Sequence, residues 1–588
     1  MPPSPSPTSK SAKLALALIM ILGIVLRFVA APAPGGLSGG LDREMDGFQG
    51  AFFALTSTNY ERLGPAAAGG YPIVNLDADP AAPKTWYVYA NHPPTLALFF
   101  WLELKLLGPD GWQDAPATGH PPTSVQPGNL ERLLRAPMMF ASLASILALF
   151  WALRSSMDER EALLGTLLYA AAPLAVLDAG LVNYEPPSIL CVLVAFGATL
   201  RYLNHGQKRH LILGAVAIAL GTAQTFAPLF FCVPLCLFVL GHRLRHRGLL
   251  PAIRTTSIFA GAALLPILIH GIWARHALSE LGQVPHLTDR IGQLFGPLTT
   301  GEVPFFSWLT LQFTHLSSAS SELFRDLVLV GLVFSILDLL AAPTPNNGDS
   351  DSDNEPKAAR SQAAAFALLL FAGGLAVLFF YYRHTADGYQ PGTSAQTTFM
   401  LNLLPGAAAL AGVAIFEVGA TLTRVLQKGK DPTQLSPFTR HGPAIIATAL
   451  VLLTLGSFSR TTAATYATWR APDATRPLPL EVGTELNELL PQGAVALFPQ
   501  SLGWTPAVSL YAWRTLLPVT PDIPSFQFTE ARIAAAGLTT APRYLLLPRE
   551  PRTETAKNLE AFFHNMAPDV AAREPLTSPN WRAWRLDE

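Results

Sequence analysis

Residues Leu41–Gly64 read LDREMDGFQGAFFALTSTNYERLG. Three carboxylates, Asp42, Glu44 and Asp46, stand within five residues, and the pattern after them predicts an aromatic-rich helix over Gly47–Leu63. A hydrophobic segment long enough to cross a bilayer comes just before this stretch. Acidic groups so close to a membrane are costly unless they are used. The stretch therefore predicts chemistry at the interface between lipid and water.

The composition indicates an integral membrane protein. Half of the 588 residues are hydrophobic and only 14% are charged, against about 25% charged residues in soluble domains. The net charge of -1 gives no global field that would attract nucleic acid. The three cysteines all fall in apolar runs without metal-binding spacing, so we interpret them as core residues.

The hydropathy pattern predicts an all-α polytopic fold. Basic loops should lie in the cytoplasm, and placing all of them there alternates correctly through eleven crossings. The N-terminus is then cytoplasmic, and residues 33–131, residues 275–321 and the chain after about 461 are external. The predicted crossings are about 12–32, 132–153, 162–181, 186–203, 209–223, 226–241, 252–274, 322–342, 362–382, 398–419 and 442–460.

Three segments fall outside this simple pattern. The run Thr95–Leu107 is too short to span and contains two charges, which favours an interfacial or re-entrant helix. Residues 461–588 mix short β-like runs with helical patterns, which predicts a small α/β extracytoplasmic domain after a transmembrane domain over 1–460. The first apolar segment could be a cleaved signal peptide, but Arg27 within it favours a retained crossing.

Two motifs at predicted external turns could carry chemistry. His92 precedes Pro93-Pro94, whose rigid chain fixes its orientation for a phosphate or a metal ion. The alternative is a helix that simply starts with proline. Glu185 lies in Asn183-Tyr184-Glu185-Pro186-Pro187, where the helix dipole favours an anion, and that dipole is also the structural explanation.

Two further external motifs carry cationic or ligating groups. His315 lies among aromatic residues in 275–321, which could grip a lipid phosphate, although a lone histidine on an apolar face is more often structural. Arg383 and His384 follow two tyrosines at an outer helix end. Arginine suits a phosphate or diphosphate, and a snorkelling arginine in an aromatic belt explains the pattern equally well.

Taken together, these motifs resemble the GT-C glycosyltransferase superfamily. The nearest branch is that of the protein O-mannosyltransferase and lipid A aminoarabinose transferase-like proteins of bacterial membranes. The resemblance runs from about residue 12 to 460. Its carriers are Glu44-Met45-Asp46 with Gln49-Gly50-Ala51-Phe52-Phe53 and Asn59-Tyr60, His92-Pro93-Pro94, Arg135-Ala136-Pro137 and Asn183-Tyr184-Glu185-Pro186.

The resemblance implies an inverting transfer of a sugar from a polyprenyl-phosphate donor to a hydroxyl acceptor on a protein, lipid or glycan. On this reading Asp46 matches the catalytic acid, with Glu44 or Asp42 in reserve, and Glu185 matches a second acidic position. The predicted substrate-binding residues and metal ligands combine this resemblance with the cationic motifs described above. Substrate-binding residues are His92, Arg135, His315, Arg383 and His384, and a divalent metal ion would take His92 and His315 as candidate ligands.

Two other functions compete with this one. A transporter or flippase of lipid-linked sugars would tend to show repeated halves and charges at the membrane midplane, whereas here the acids cluster in external loops. A non-catalytic relative that binds lipid-linked sugars is a third possibility. The sequence favours an enzyme of the cell envelope, multi-pass in the inner (plasma) membrane, which works with membrane lipid and without nucleic acid.

Overall fold

The computed structural model describes residues 9–31, 49–74, 86, 88–108, 129–281, 305–341, 354–382, 400–427, 437–470, 479–491, 493–499, 512, 514–535, 541–549 and 554–587. The part before residue 471 is built from helices. They include α1 (Lys10–Val29), α2 (Gln49–Leu63), α3 (Thr95–Leu107), α4 (Asn129–Leu153), α5 (Glu159–Ala171), α6 (Pro173–Leu177), α7 (Glu185–His205), α8 (Lys208–Thr222), α9 (Ala227–Arg247), α10 (Leu249–Glu280), α11 (Phe305–Ala319), α12 (Glu322–Leu340), α13 (Asn354–Tyr382), α14 (Leu404–Gln427) and α15 (Pro437–Arg470).

Within the described chain, eight helices are long and apolar enough to cross a membrane, which confirms a multi-pass membrane protein. These spans are Lys10–Val29, Arg132–Leu153, Glu185–His205, Ala227–Arg247, Leu249–Glu280, Arg360–Phe379, Leu404–Gln427 and His441–Ala467.

The other three predicted crossings are also helical but fall short of a regular span. The predicted crossing 162–181 is split into α5 and α6, because Pro173 pushes Ala172 out of the helical region, to ψ 130°. Helix α8 has only 15 residues. Helix α12 has 19 residues but carries charges at Arg325, Asp326 and Asp338.

Side-chain contacts define two ends of the helical bundle. At one end, the Ser9 amide donates to Glu159 at 3.3 Å and Asn204 donates to the Ser155 carbonyl at 3.0 Å. We call this end the basic face, since it gathers the loops rich in Lys and Arg. It comprises residues 9, 154–161, 201–210, 242–254, 360 and 417–424.

The opposite end is called the site face. Ala30, at the end of α1, packs there against Val176 and Leu177, and the Ser457 hydroxyl bonds to that of Ser321 at 2.9 Å. Residues 177–185 and 223–227 also lie at this end. The chain passes between the two ends in the order expected from the basic loops, while the cytoplasmic location of the basic face stays a prediction.

Helices α2 and α3 form a separate layer on the site face. Both were expected from the sequence, and α3 has the predicted bounds. One side of α3, with Phe100 and Leu104, is buried with Phe53 of α2, and the other side leaves Phe99 and Leu106 exposed. A short helix with apolar residues on both sides fits an interfacial position.

Small residues allow close helix packing in the bundle. A Cβ atom added at Gly331 of α12 would lie 2.0 Å from the carbonyl oxygen of Leu410 in α14. Backbones therefore touch at this crossing, as is common where membrane helices meet.

The C-terminal part is a small α/β unit. Its sheet has the order β2-β1-β3-β5-β4, with β1 parallel to β2 and β3 and with β5 antiparallel to its neighbours. Apolar clusters cover both faces of the sheet. Its elements are α16 (Pro479–Leu489), β1 (Val495–Pro499), β2 (Thr515–Val519), α17 (Ile523–Ala535), β3 (Arg543–Pro548), α18 (Glu554–Met566), α19 (Pro568–Ala571), β4 (Leu576–Thr577) and β5 (Trp581–Arg585).

The predicted helices and strands of this unit are present, and two strands were missed. Strand β2 contains Pro518, which cannot donate to a sheet and is tolerated because β2 is an edge strand. Strand β4 has only two residues. The boundary between the transmembrane domain and the C-terminal domain, placed after residue 460, stays a prediction. Helix α15 continues past it to Arg470.

Candidate functional site

Several predicted site residues lie outside the described part of the chain. These are the acidic residues Asp42, Glu44 and Asp46, together with Arg383 and His384. Their assignments remain predictions. The described candidates are His92, Arg135, Glu185 and His315.

Glu185 opens α7 directly after a buried turn that follows α6. The turn is held by hydrogen bonds from Leu181 N to Asp178 O (3.1 Å) and from Asn183 N to Leu181 O (2.8 Å). Pro186 follows Glu185 in the first turn of α7, where a missing N–H is harmless. The side chains of Asn183 and Glu185 are only 1% and 5% exposed. The motif is therefore part of the protein interior, not a solvated loop.

Arg135 supports this turn from α4. It is fully buried, and its Nη1 donates to the Gly180 carbonyl at 3.3 Å. The Arg135-Ala136-Pro137 motif and the Asn183-Tyr184-Glu185 motif thus meet in space, although they are 45 or more positions apart in the chain.

His92 lies between two turns of the site face. Its ring centroid is 4.5 Å from that of Tyr184 and 5.8 Å from that of Phe226, which precedes α9. Three residues further on, the Thr95 hydroxyl donates to the Ala223 carbonyl at 2.7 Å. The proline pair therefore starts α3 with His92 held between the turn before α7 and the turn between α8 and α9.

Aromatic side chains of α2 close one side of this arrangement. The rings of Phe53 and Tyr184 are 5.6 Å apart, and those of Phe52 and Tyr89 are 4.9 Å apart. The helix that follows the acidic stretch Asp42–Asp46 thus packs directly against the residue before Glu185. Helix α2 therefore forms part of the wall around Tyr184.

Three of the side chains here carry buried polar atoms without a hydrogen-bond partner among the described residues. They are Asn183 (Nδ2 and Oδ1), Glu185 (Oε2) and Gln224 (Oε1). Buried polar groups are nearly always paired in proteins, so each such atom needs an explanation. Amide and carboxylate groups of this kind suit the hydroxyl groups of a sugar.

His270 was missed by the sequence analysis. It lies near the site-face end of α10, its ring is 5.8 Å from Phe226, and its Nδ1 is 2.8 Å from the Tyr71 hydroxyl. Burial raises the pKa of Tyr71 well above its usual range, so the phenol stays protonated. A lone ionisable residue in an apolar span is a signal for function that could have identified His270.

His315 is buried elsewhere, on α11 with Trp308 and Leu316. Burial lowers its pKa, which favours the neutral imidazole. The described residues contain no group of three or more His, Cys, Asp or Glu side chains that could hold a metal ion. The metal ion remains a prediction.

The helices that hold the site also resemble part of a known protein family. Residues 124–273 match the family model of dolichyl-phosphate-mannose-protein mannosyltransferases. This range contains Arg135, Asn183, Glu185, Gln224 and His270. No curated protein matches the chain.

Solved structures match over nearly the whole chain. ArnT from Cupriavidus metallidurans bound to undecaprenyl phosphate is 12% identical, with 98% of each chain covered and a TM-score of 0.53. The Archaeoglobus fulgidus oligosaccharyltransferase tethered with an acceptor peptide is 13% identical, with 95% of this chain and 72% of that chain covered and a TM-score of 0.54. The same archaeal enzyme, AglB, in complex with an inhibitory peptide and a dolichol-phosphate gives a TM-score of 0.55 at 13% identity.

The structural likenesses confirm the predicted fold, and with the family model over residues 124–273 they confirm the resemblance to GT-C glycosyltransferases. The family model and the structures above all describe enzymes that transfer glycosyl groups.

Proposed function

We propose that this protein is an inverting glycosyltransferase that moves a sugar from a polyprenyl-phosphate donor to a hydroxyl acceptor on the outer face of the plasma membrane. The observation that carries the proposal is the set of unpaired polar atoms on Asn183, Glu185 and Gln224. They lie at one end of a membrane bundle whose whole fold matches an enzyme solved with undecaprenyl phosphate.

The location of these atoms supports a lipid-linked donor. The site lies at the ends of membrane-spanning helices, where a lipid phosphate in the headgroup layer can reach it. The interfacial helix α3 exposes Phe99 and Leu106 beside it, and these apolar side chains suit a prenyl chain. A soluble nucleotide sugar would need neither feature.

The proposed chemistry assigns a role to each group. Asp46, with Glu44 in reserve, takes the proton of the acceptor hydroxyl, and the acceptor oxygen attacks the anomeric carbon from the side opposite the phosphate. The bond between the anomeric carbon and the phosphate oxygen breaks, and the lipid phosphate leaves. His92, Arg383 and His384 stabilise its charge, while Glu185 orients the sugar.

Arg135 has a positioning role and does not touch the substrate in this proposal. Since it donates to Gly180 in the turn before Glu185, we assign it to positioning that turn. The roles assigned here do not depend on the predicted divalent metal ion, which stays a prediction.

The orientation follows from the charge distribution. The loops rich in Lys and Arg gather at the end opposite the site, and such loops favour the cytoplasm. The site and the C-terminal α/β unit are then extracytoplasmic.

The test uses membranes that contain the full-length protein and radiolabelled polyprenyl-phosphate sugars. Wild type should transfer label to an acceptor, Asp46→Asn should lose at least about a hundredfold in rate as expected for a general base, and Glu44→Gln should lose less. Transfer by Asp46→Asn at the wild-type rate would refute the role of Asp46. Movement of the labelled lipid across the membrane without any sugar transfer would instead indicate a flippase.

A further inference from the structure

One long segment of the chain has basic residues but no acidic ones. Between Glu185 and Glu280 there is no Asp or Glu, yet there are eight Lys and Arg residues. All but Arg275 fall at the basic face, together with four histidines. The basic-face residues are Arg201, His205, Lys208, Arg209, His210, His242, Arg243, Arg245, His246, Arg247 and Arg254.

Membrane topology explains solvated cations in such loops, but it does not explain Arg243. This residue is only 6% exposed, and its guanidinium carbon lies 4.5 Å from the centre of the Tyr202 ring. Its Nε and Nη2 atoms are buried and have no hydrogen-bond partner in the part of the chain that the structure describes. A buried guanidinium with unsatisfied N–H groups is costly, so a missing anion is the simplest complement.

Among the described residues, the charged groups that act on its neighbour His242 are His246, Arg243 and Arg245, all of them cationic or able to become so. The rings of His242 and His246 are 4.7 Å apart, and Nδ1 of His242 is also buried without a partner in the described chain. The cluster of Tyr202, His242 and Arg243 therefore has the charge and the donors for a phosphate group.

Apolar side chains beside this cluster favour a lipid headgroup over a soluble phosphate as its ligand. Leu244, Leu249, Leu250 and Ile253 are all exposed around the junction of α9 and α10. Acyl chains can cover these side chains, whereas a soluble phosphate cannot. We propose that Arg243, with Tyr202 and His242, binds the headgroup phosphate of an anionic phospholipid at the basic face, far from the proposed catalytic end.

The test compares lipid binding by the purified full-length protein. Dioleoyl phosphatidylglycerol, dioleoyl phosphatidylcholine and inorganic phosphate are titrated separately, and bound lipid is counted by native mass spectrometry. Wild type should prefer phosphatidylglycerol. Arg243→Gln should lower that affinity about tenfold, the effect of one charge-assisted hydrogen bond, and should weaken phosphatidylcholine binding less, because the choline cation of that lipid offsets its phosphate charge.

Arg275→Gln is the matched control, because Arg275 is an exposed arginine on α10 at the opposite end of the bundle. Its affinity for phosphatidylglycerol should equal that of wild type. Equal binding by Arg243→Gln and wild type would overturn the proposal, and so would displacement of the lipid by inorganic phosphate at equal concentration. If Arg243→Gln does not fold, the double variant Arg245→Gln/Arg247→Gln, which changes two exposed arginines, replaces it in the test. This double variant must bind phosphatidylglycerol more weakly than Arg275→Gln does. Equal binding by these two proteins would also overturn the proposal.

Discussion

Replacing Asn183 by leucine should stabilise the protein and impair its activity together. The Asn183 side chain is 1% exposed, and neither of its amide atoms has a partner among the described residues. A buried unsatisfied polar group costs about 1–3 kcal/mol. Leucine has the same branched arrangement of side-chain heavy atoms but no such group, so Asn183→Leu should raise the free energy of unfolding by about 1 kcal/mol or more.

The effect on catalysis should have the opposite sign. If Asn183 binds a sugar hydroxyl, leucine leaves that hydroxyl unpaired in a buried site, which again costs about 1–3 kcal/mol. Each 1.4 kcal/mol is a factor of ten in rate. We therefore expect kcat/KM for glycosyl transfer to fall by about tenfold to a hundredfold.

Asn59 provides a matched control in helix α2. It is equally buried, but its Nδ2 donates to the Ile73 carbonyl at 2.6 Å and its Oδ1 accepts from Arg62 at 2.9 Å. Asn59→Leu breaks these bonds and should lower stability by about 2 kcal/mol or more. The two variants are compared by thermal unfolding in the same detergent and by transfer of radiolabelled sugar.

Two results would refute this reasoning. Destabilisation of Asn183→Leu to the same extent as Asn59→Leu would show that the amide of Asn183 is paired in the folded protein. Stabilisation with unchanged transfer would show that the amide is unpaired but does not touch substrate.

Two further predictions concern packing and pH. Gly331→Ala should destabilise the bundle by more than about 1 kcal/mol, because the added Cβ would meet the Leu410 carbonyl. The control is Gly456→Ala, which should be neutral because its added Cβ meets nothing within 4 Å. Equal melting temperatures of the two variants would contradict the packing described for α12 and α14. Burial raises the pKa of Glu103 from 4.5 to about 7. At a pH between these two pKa values the folded protein binds more protons than the unfolded chain, so the free energy of unfolding falls as the pH rises. Glu103→Gln should flatten that fall between pH 5 and 7.5, and a variant with the wild-type slope in thermal unfolding would be incompatible with it.

The helical bundle was predictable because its signal is local. Long apolar runs identify spans without knowledge of their neighbours, and all eleven predicted segments are helical. The split of 162–181 into α5 and α6 was overlooked although Pro173 signals it. Strand β2 was missed because Pro518 argues against a strand unless its edge position is known.

The candidate site was predictable only in part. His92 and Glu185 stand in motifs, and the structure brings His92 next to Tyr184, the residue before Glu185. The pairing of His270 with Tyr71 joins residues 199 positions apart, and no periodicity contains such information. Gln224 lies in a short turn between two apolar runs, and packing alone buries its Oε1 atom away from any partner in the described chain.

The brevity of helix α8 has a consequence for the bilayer itself. Its 15 residues cover about 22 Å at 1.5 Å per residue, whereas the hydrocarbon layer is about 30 Å thick. Since α8 begins at the basic face, the shortfall falls at its other end, where Gln224 and Phe226 lie. Hydrophobic mismatch of this kind thins the adjoining leaflet. A lipid-borne sugar would therefore meet the protein where the membrane surface dips toward the site, and acyl-chain length becomes a physical variable in its delivery.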